Sequence, residues 1–262
     1  MAPSLPADPV LTARALAWTR QSRESVCDRI EPWEHGTVLR ASRYPRWFDL
    51  NLVRVEDDPG ISAAELMAFA DQALSGLEHR TISFEVAPAA EPLLADFNAA
   101  GWRVTRLIWM HHAGPRQGPG GPEGPELPEV REASYDAAAE LRLAWHREDF
   151  PGLEEPEFHA QAREVALARG TRVLEVVADG ESVGFSALDP GADGVEIGAV
   201  YVLPAFRGAG RGTALTQAAI AAADGVEHLW ICADADDRPK ELYMRLGFVP
   251  VLSTVDLLLL PR

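Results

Sequence analysis

The residues of this chain best suited to chemistry lie in one run, Val200–Leu215, which reads VYVLPAFRGAGRGTAL. An apolar strand ends at Pro204, a short turn follows, and Arg207-Gly-Ala-Gly-Arg-Gly212 opens an alanine-rich helix. A helix start exposes unpaired N–H groups and a partial positive charge, which suits a phosphate anion. Glycines there let the main chain approach the anion with no side chain in the way. Arg207 and Arg211 add positive charge. By itself such a turn could also be a tight connection that needs flexible residues. It is neither a nucleotide P-loop, which requires Gly-Lys-Ser/Thr, nor a dinucleotide fingerprint, whose glycines follow the first strand of the fold.

Proton handling has fewer candidates. Glu196 is a lone carboxylate in the otherwise apolar stretch Val195–Val202. Alternation along a strand puts it on the face of Val200 and Val202, where it could take a proton directly or through water. It could equally be an ordinary solvated residue. WHRED, Trp145–Asp149, closes an expected helix, and His146, Glu148 and Asp149 could meet a cationic molecule there. A solvated helix end accounts better for at least two of those three. His111, His112 and the other histidines show no metal spacing. Cys27 and Cys232, far apart in sequence, read as reduced core residues of a cytoplasmic protein.

The elements that must hold these residues alternate between strands and helices. The second half reads as a strand near Val130, helices over Ala137–Asp149 and Phe158–Arg169, and strands at Arg172–Ala178, Ser182–Asp189 and Val195–Val202. A helix from about Gly210, a strand at His228–Ala233, a helix over Pro239–Leu246 and a last strand at Ser253–Leu260 complete it. Strands rich in Val, Leu and Ile alternating with helices predict an α/β fold with a sheet covered on both faces. The run GPRQGPGGPEGPELP, Gly114–Pro128, holds nothing to bury and reads as an exposed linker. The expected layout is a first domain over 1–113, a Gly/Pro linker over 114–125 and a second domain over 126–262.

The halves also resemble each other. GLEHRTISFEV, Gly76–Val86, lines up with GVEHLWICADA, Gly225–Ala235. Each follows an alanine-rich helical pattern, Ser62–Ser75 or Thr213–Asp224, and leads to a short helix closed by Gly101-Trp102 or Gly247-Phe248. Glycine accepts the left-handed conformation after a helix, and the next apolar residue packs back on it. Helix, strand, helix and cap in the same order point to duplication.

With those elements in place, the glycine turn resembles the coenzyme A pyrophosphate loop of the GNAT acetyltransferases, Arg/Gln-x-x-Gly-x-Gly/Ala, filled here by Arg207, Gly210 and Gly212. The preceding Val-Leu-Pro and Phe206 belong to the same pattern. ADADDRPKELYMRLGF, Ala233–Phe248, resembles the family's second hallmark, Leu-Tyr-x-x-x-Gly-Phe. The resemblance implies two tandem GNAT-like domains, each a mixed central sheet with helices on both faces. It implies acetyl-CoA as co-substrate and no metal. Arg207, Gly208, Ala209, Gly210, Arg211, Gly212 and Thr213 would then hold the pyrophosphate, and Val200, Tyr201 and Val202 would pair their main chain with the pantetheine. Tyr243, at the family's position for the acid, would protonate the departing thiolate, and Glu196 or a water chain would take the ammonium proton. Asp236 falls where the family often has asparagine, so that contact is a departure; Asp236 or Asp237 could instead cap the helix before Pro239.

The first half lacks this equipment. Aligned on the shared Gly-x-Glu-His, Arg207 corresponds to Asp58, Gly210 to Ile61 and Gly212 to Ala63, and Glu56-Asp57-Asp58 would repel a pyrophosphate. Aligned on the glycine cap, Tyr243 corresponds to Phe97, which has no proton to give. The first half therefore reads as a degenerate copy. A net charge of −16 argues against nucleic acid, and no apolar segment approaches the ~20 residues of a membrane helix. Nor is there a basic stretch followed by an apolar run to act as a signal peptide. The expected partner is an amine acceptor, possibly cationic, since acidity favours a cation through long-range steering. Two functions fit: an N-acetyltransferase acting on a small molecule or peptide, and a protein that senses acyl-CoA without turning it over.

Overall fold

The computed structural model describes residues 8–114, 128–151 and 156–260, so residues 115–127 of the expected linker lie outside it. In chain order the first elements are α1 (Pro9–Glu24), β1 (Arg29–Trp33), β2 (Gly36–Arg40), β3 (Leu52–Val55), α2 (Ala63–Ala73), β4 (Arg80–Phe84), the short α3 (Ala87–Ala90) and α4 (Leu94–Ala99), and β5 (Arg103–His112). Then follow β6 (Val130–Ala133), α5 (Ala139–Asp149), α6 (Pro156–Arg169), β7 (Arg172–Ala178), β8 (Glu181–Pro190) and β9 (Gly194–Val202). The chain closes with α7 (Arg211–Ala222), β10 (His228–Asp234), α8 (Pro239–Arg245) and β11 (Phe248–Leu259). The class is α/β, with parallel and antiparallel pairing in the same fold. Every element expected in the second half is present, although β11 starts at Phe248 rather than Ser253.

The chain forms two compact units. One holds the residues up to Trp109 with Ala233–Asp237 and Pro250 onward; the other holds Met110–Cys232 with Arg238–Val249. The end of the chain thus returns to the first unit, where Val255–Leu259 pairs antiparallel with Arg80–Phe84.

In the first unit β1, β2 and β3 form an antiparallel meander, and β4 returns parallel to β3 after α2. Helix α2 turns Leu66, Ala70 and Leu74 inward, a four-residue spacing that builds one apolar stripe. They bury against Val53, Val55, Ile82, Phe84, Phe97 and Trp102, with Val255 and Leu257 from β11.

The second unit repeats that order: β6 to β9 pair antiparallel in sequence, and β10 returns parallel to β9 after α7. Helix α7 packs on β7, β8 and β9. Ala138, Leu141 of α5 and Ala166 of α6 bury against Phe185, Ala187, Ala199 and Tyr201.

Candidate active site

The site is built around an irregularity in β9. Leu188 of β8 faces Ile197, but the next residue, Ala187, faces Ala199, so Gly198 is the extra residue of a β-bulge. A Cβ on Gly198 would lie 2.3 Å from Asp189 Oδ2, so a larger residue there requires that carboxylate to move. On its other edge β9 pairs with β10 over Gly194–Ile197, and that pairing stops at the bulge. Ala199–Val202 therefore carry a main-chain edge that β10 does not cover.

The bulge corrects one expectation. One inserted residue reverses the alternation of faces. Glu196 stands opposite Asp189 and shares a face with Ala199 and Tyr201, not with Val200 and Val202. Residues opposite one another on paired strands point the same way. Glu196 therefore belongs to the side lined by Phe185 and Ala187, against which α5 and α6 pack. Val200 and Val202 take the other side, opposite Ser186 and Gly184.

After β9 a 3-10 turn over Pro204–Phe206 leads into the glycine loop. Gly208 and Gly210 have φ of +83° and +76°, a region that side chains avoid. A Cβ on either would meet nothing within 4 Å, so backbone shape and not crowding demands glycine, and the space before the loop is open. Ala209 between them is exposed. Ala214 N–H, bonded to Gly210 O at 2.9 Å, is the first within the helix; those of Arg211, Gly212 and Thr213 precede it, and α7 has no side-chain cap. An unpaired cluster of N–H groups at a positive helix end fits an anion.

The two arginines fold back on their own loop. Arg211 Nη1 donates to Phe206 O at 3.0 Å, and its guanidinium lies 5.4 Å from the Phe206 ring centre. Arg207 Nε donates to Val202 O at 2.8 Å and Nη2 to Glu148 Oε2 at 2.7 Å, with the guanidinium 5.5 Å from the Tyr201 ring. Tyr201 Oη donates to the same Glu148 oxygen at 3.2 Å. The hydrogen bond from Arg207 holds the Glu148 carboxyl below its usual range. Burial, then the Glu148 charge, pushes the Tyr201 phenol up. Arg207 and Glu148 side chains are 47 % and 41 % exposed, so the pair is worth only about 0.2–1 kcal/mol. A stronger anion would displace Glu148 easily. Of the WHRED group, Glu148 and Asp149 are exposed, whereas His146 is buried, its ring 5.0 Å from that of Phe158.

Tyr243 is a buried residue of α8 whose ring meets Phe248 at 6.2 Å. Asp236 is exposed, and its N–H donates to Asp234 Oδ1 at 2.8 Å. The cap residue of α8 is Arg238, which makes no side-chain capping bond, so Asp236 is not the cap.

The corresponding place in the first unit is closed. Ser62 Oγ accepts from Glu65 N–H at 3.3 Å and Glu65 Oε2 accepts from Ser62 N–H at 2.9 Å, a reciprocal cap on α2. Asp58 Oδ1 takes Gly60 N–H at 3.0 Å. On the strand before this helix, Arg54 is buried and donates to Glu24 at 2.7 Å and Glu56 at 3.0 Å, while Arg20 of α1 donates to the buried Glu85 at 2.9 Å. Acids and ion pairs occupy the positions that α7 and β9 leave open.

A family profile described as an acetyltransferase (GNAT) domain matches residues 169–250. The chain carries a GNAT domain. The match takes in the bulge, the glycine loop and α8. No curated protein matches the sequence. Among solved structures, a functionally unknown conserved protein from Staphylococcus epidermidis is similar, with a TM-score of 0.65, 14 % identity, and coverage of 88 % of this chain and 93 % of that one. A GCN5-related N-acetyltransferase from Kribbella flavida is similar at a TM-score of 0.56 and 20 % identity, over 94 % of each chain. At such identities the likeness concerns the fold, and it extends the GNAT fold over most of the chain. Among the described residues no helix is long and apolar enough to cross a membrane, and no three His, Cys, Asp or Glu side chains form a metal-holding group.

One group of residues carried no earlier signal of function. Tyr135, Arg142 and Asp189 lie with Glu196 on the side of the sheet that α5 and α6 pack against. The visible hint was an arginine on the stripe Ala138, Leu141, Arg142, Trp145, which otherwise faces inward.

Proposed function

We propose that the second half of the chain transfers an acetyl group from acetyl-CoA to a primary amine of a small molecule or peptide, by direct attack in a ternary complex. The observation that carries this reading is the bulged, open-edged β9 leading straight into an uncapped helix start with two left-handed glycines. The thioester supplies an activated acyl group. Gly208–Thr213 hold the diphosphate through main-chain N–H groups, and Arg207 and Arg211 add charge beside it. The open edge of Val200–Val202 takes the extended pantetheine as an added strand, although Val202 O already accepts from Arg207. Holding amine and thioester together supplies much of the rate. Glu196 removes the ammonium proton, directly or through water, and Tyr243 protonates the leaving thiolate. The first half is a degenerate copy without a cofactor site, and the chain works in the cytoplasm.

Thiol release from acetyl-CoA across a panel of primary amines tests the reading. Release in step with an acetylated product supports it. The second reading, an acyl-CoA sensor, is favoured by the tie of Arg207 to Glu148 and by the burial of Tyr243. Tight acetyl-CoA binding with no release on any amine would select it.

A further inference from the structure

Arg207 belongs to the cofactor loop, yet its guanidinium is engaged on α5. Nη2 donates to Glu148 Oε2 at 2.7 Å, and the guanidinium carbon lies 5.5 Å from the Tyr201 ring centre. Tyr201 Oη donates to the same Glu148 oxygen at 3.2 Å. A carboxylate beside an aromatic face, steadied by a hydroxyl, is a seat for an organic cation. Here the cation in the seat is the protein's own. The Tyr201 residue is 5 % exposed, so its ring is a fixed wall, and burial followed by the Glu148 charge keeps its phenol protonated. Glu148, in the last turn of α5, is reached from solvent.

The cofactor and this seat compete for one side chain. Arg207 Nε also donates to Val202 O at 2.8 Å, and Val202 lies on the edge that β10 leaves uncovered. A pantetheine amide added there as a strand needs that carbonyl. A diphosphate at the start of α7 also draws the guanidinium with more charge than one half-exposed carboxylate. Both demands move Arg207 the same way, off Val202 and off Glu148. The carboxylate and ring are then open to another cation. Tyr201 shares its face with Ala199 and Glu196, and successive same-face residues are ~7 Å apart. Two such steps set the seat well away from Glu196.

We propose that acetyl-CoA, by taking Arg207, opens Glu148 and Tyr201 to a second cationic group of the acceptor, making the acceptor a molecule with two cations set apart. This rests on the acetyltransferase reading above. The net charge of −16 favours such an acceptor through long-range steering. By linkage the acceptor's second cation strengthens acetyl-CoA in turn, since each ligand removes the contact that opposes the other.

The test is a ladder of α,ω-diamines from 1,3-diaminopropane to 1,10-diaminodecane, each against the alkylamine of the same length. Calorimetry reads diamine binding to the free protein and to its complex with CoA, and thiol release from acetyl-CoA reads kcat/KM. The longer diamines should bind the CoA complex about 3–30-fold tighter than the free protein, the combined strength of the two Arg207 bonds. They should also exceed their alkylamines in kcat/KM, mainly through KM. In Glu148→Gln the coupling should fall to near one, while acetyl-CoA binds about 1.5–5-fold tighter because the pair it must break is gone. Arg207→Ala should bind the longer diamines without CoA about as well as the wild-type complex does, which a packing role for Glu148 does not predict. Both variants are checked for native circular dichroism, and if one fails to fold the other carries the comparison. Equal diamine affinity with and without CoA, or a folded Glu148→Gln protein that keeps the coupling, overturns the proposal. Coupled binding through Glu148 without thiol release from any amine would leave the cation seat standing and remove the acetyltransferase reading. Alkylamines acetylated as fast as diamines, in wild type and Glu148→Gln alike, would do the reverse.

Discussion

Replacing Gly210 with valine separates a cost to the fold from a cost to binding. Gly210 has φ +76° and ψ 0°, and a left-handed L-residue costs roughly 1–2 kcal/mol. No clash adds to that, because a Cβ here meets nothing within 4 Å. With roughly 2–4 °C of melting temperature per kcal/mol in a chain of this size, the variant should melt about 2–8 °C lower and keep its circular dichroism. Binding suffers more. The valine methyls project into the open space before α7, where a diphosphate must reach the main chain. Losing two charge-assisted hydrogen bonds, about 1.5–3 kcal/mol each, weakens acetyl-CoA by at least ~100-fold. Melting curves followed by calorimetric titration read both quantities. A folded Gly210→Val protein that binds acetyl-CoA like the wild type would reduce the loop to a turn.

Tyr243→Phe should lower turnover by ~10²–10⁴-fold on a confirmed amine while acetyl-CoA affinity changes little; unchanged turnover would make Tyr243 a packing residue. Glu85 is 5 % exposed and bound to Arg20, with Arg54 3.6 Å away, so Glu85→Gln should cost about 1.5–3 kcal/mol through the lost charge-assisted bond to Arg20, since Arg54 keeps Glu24 and Glu56. A denaturant midpoint like that of the wild type would contradict this. His79 is buried, which lowers its pKa from 6.5 to about 4, and its Nε2 lies 3.3 Å from Asn51 O. Between pH 6.5 and 4 the unfolded chain takes up a proton that the folded one refuses, so stability falls as pH drops through that window. His111 and His159, also lowered to about 4 by burial, act in the same direction. His79→Gln should flatten the loss of denaturant stability between pH 7 and 5; an unchanged loss would assign it to other groups.

What was legible in the sequence was what residue type alone dictates. Gly208 and Gly210 are written into the chain because the loop's backbone demands positive φ, and the strand and helix order of the second half follows from apolar periodicity. The face of Glu196 was not legible, because alternation assumes a regular strand and a single residue, Gly198, breaks it. The home of β11 was not legible either, since pairing between Val255–Leu259 and Arg80–Phe84 joins segments far apart in the chain. Arg207 was rightly placed beside the loop, but its bonds to Val202 and Glu148 depend on where α5 ends. The acidic run at Glu56–Asp58 foretold repulsion; the reciprocal cap of Ser62 and Glu65 adds a closure visible as Ser-x-x-Glu before the helix.

The central claim, one working half and one closed half, meets its most direct test in a calorimetric titration of the intact chain with acetyl-CoA. One molecule should bind per chain, because the start of α7 is open while Ser62 and Glu65 close that of α2. Two molecules per chain, or one that still binds when Gly210 is valine, would contradict the account.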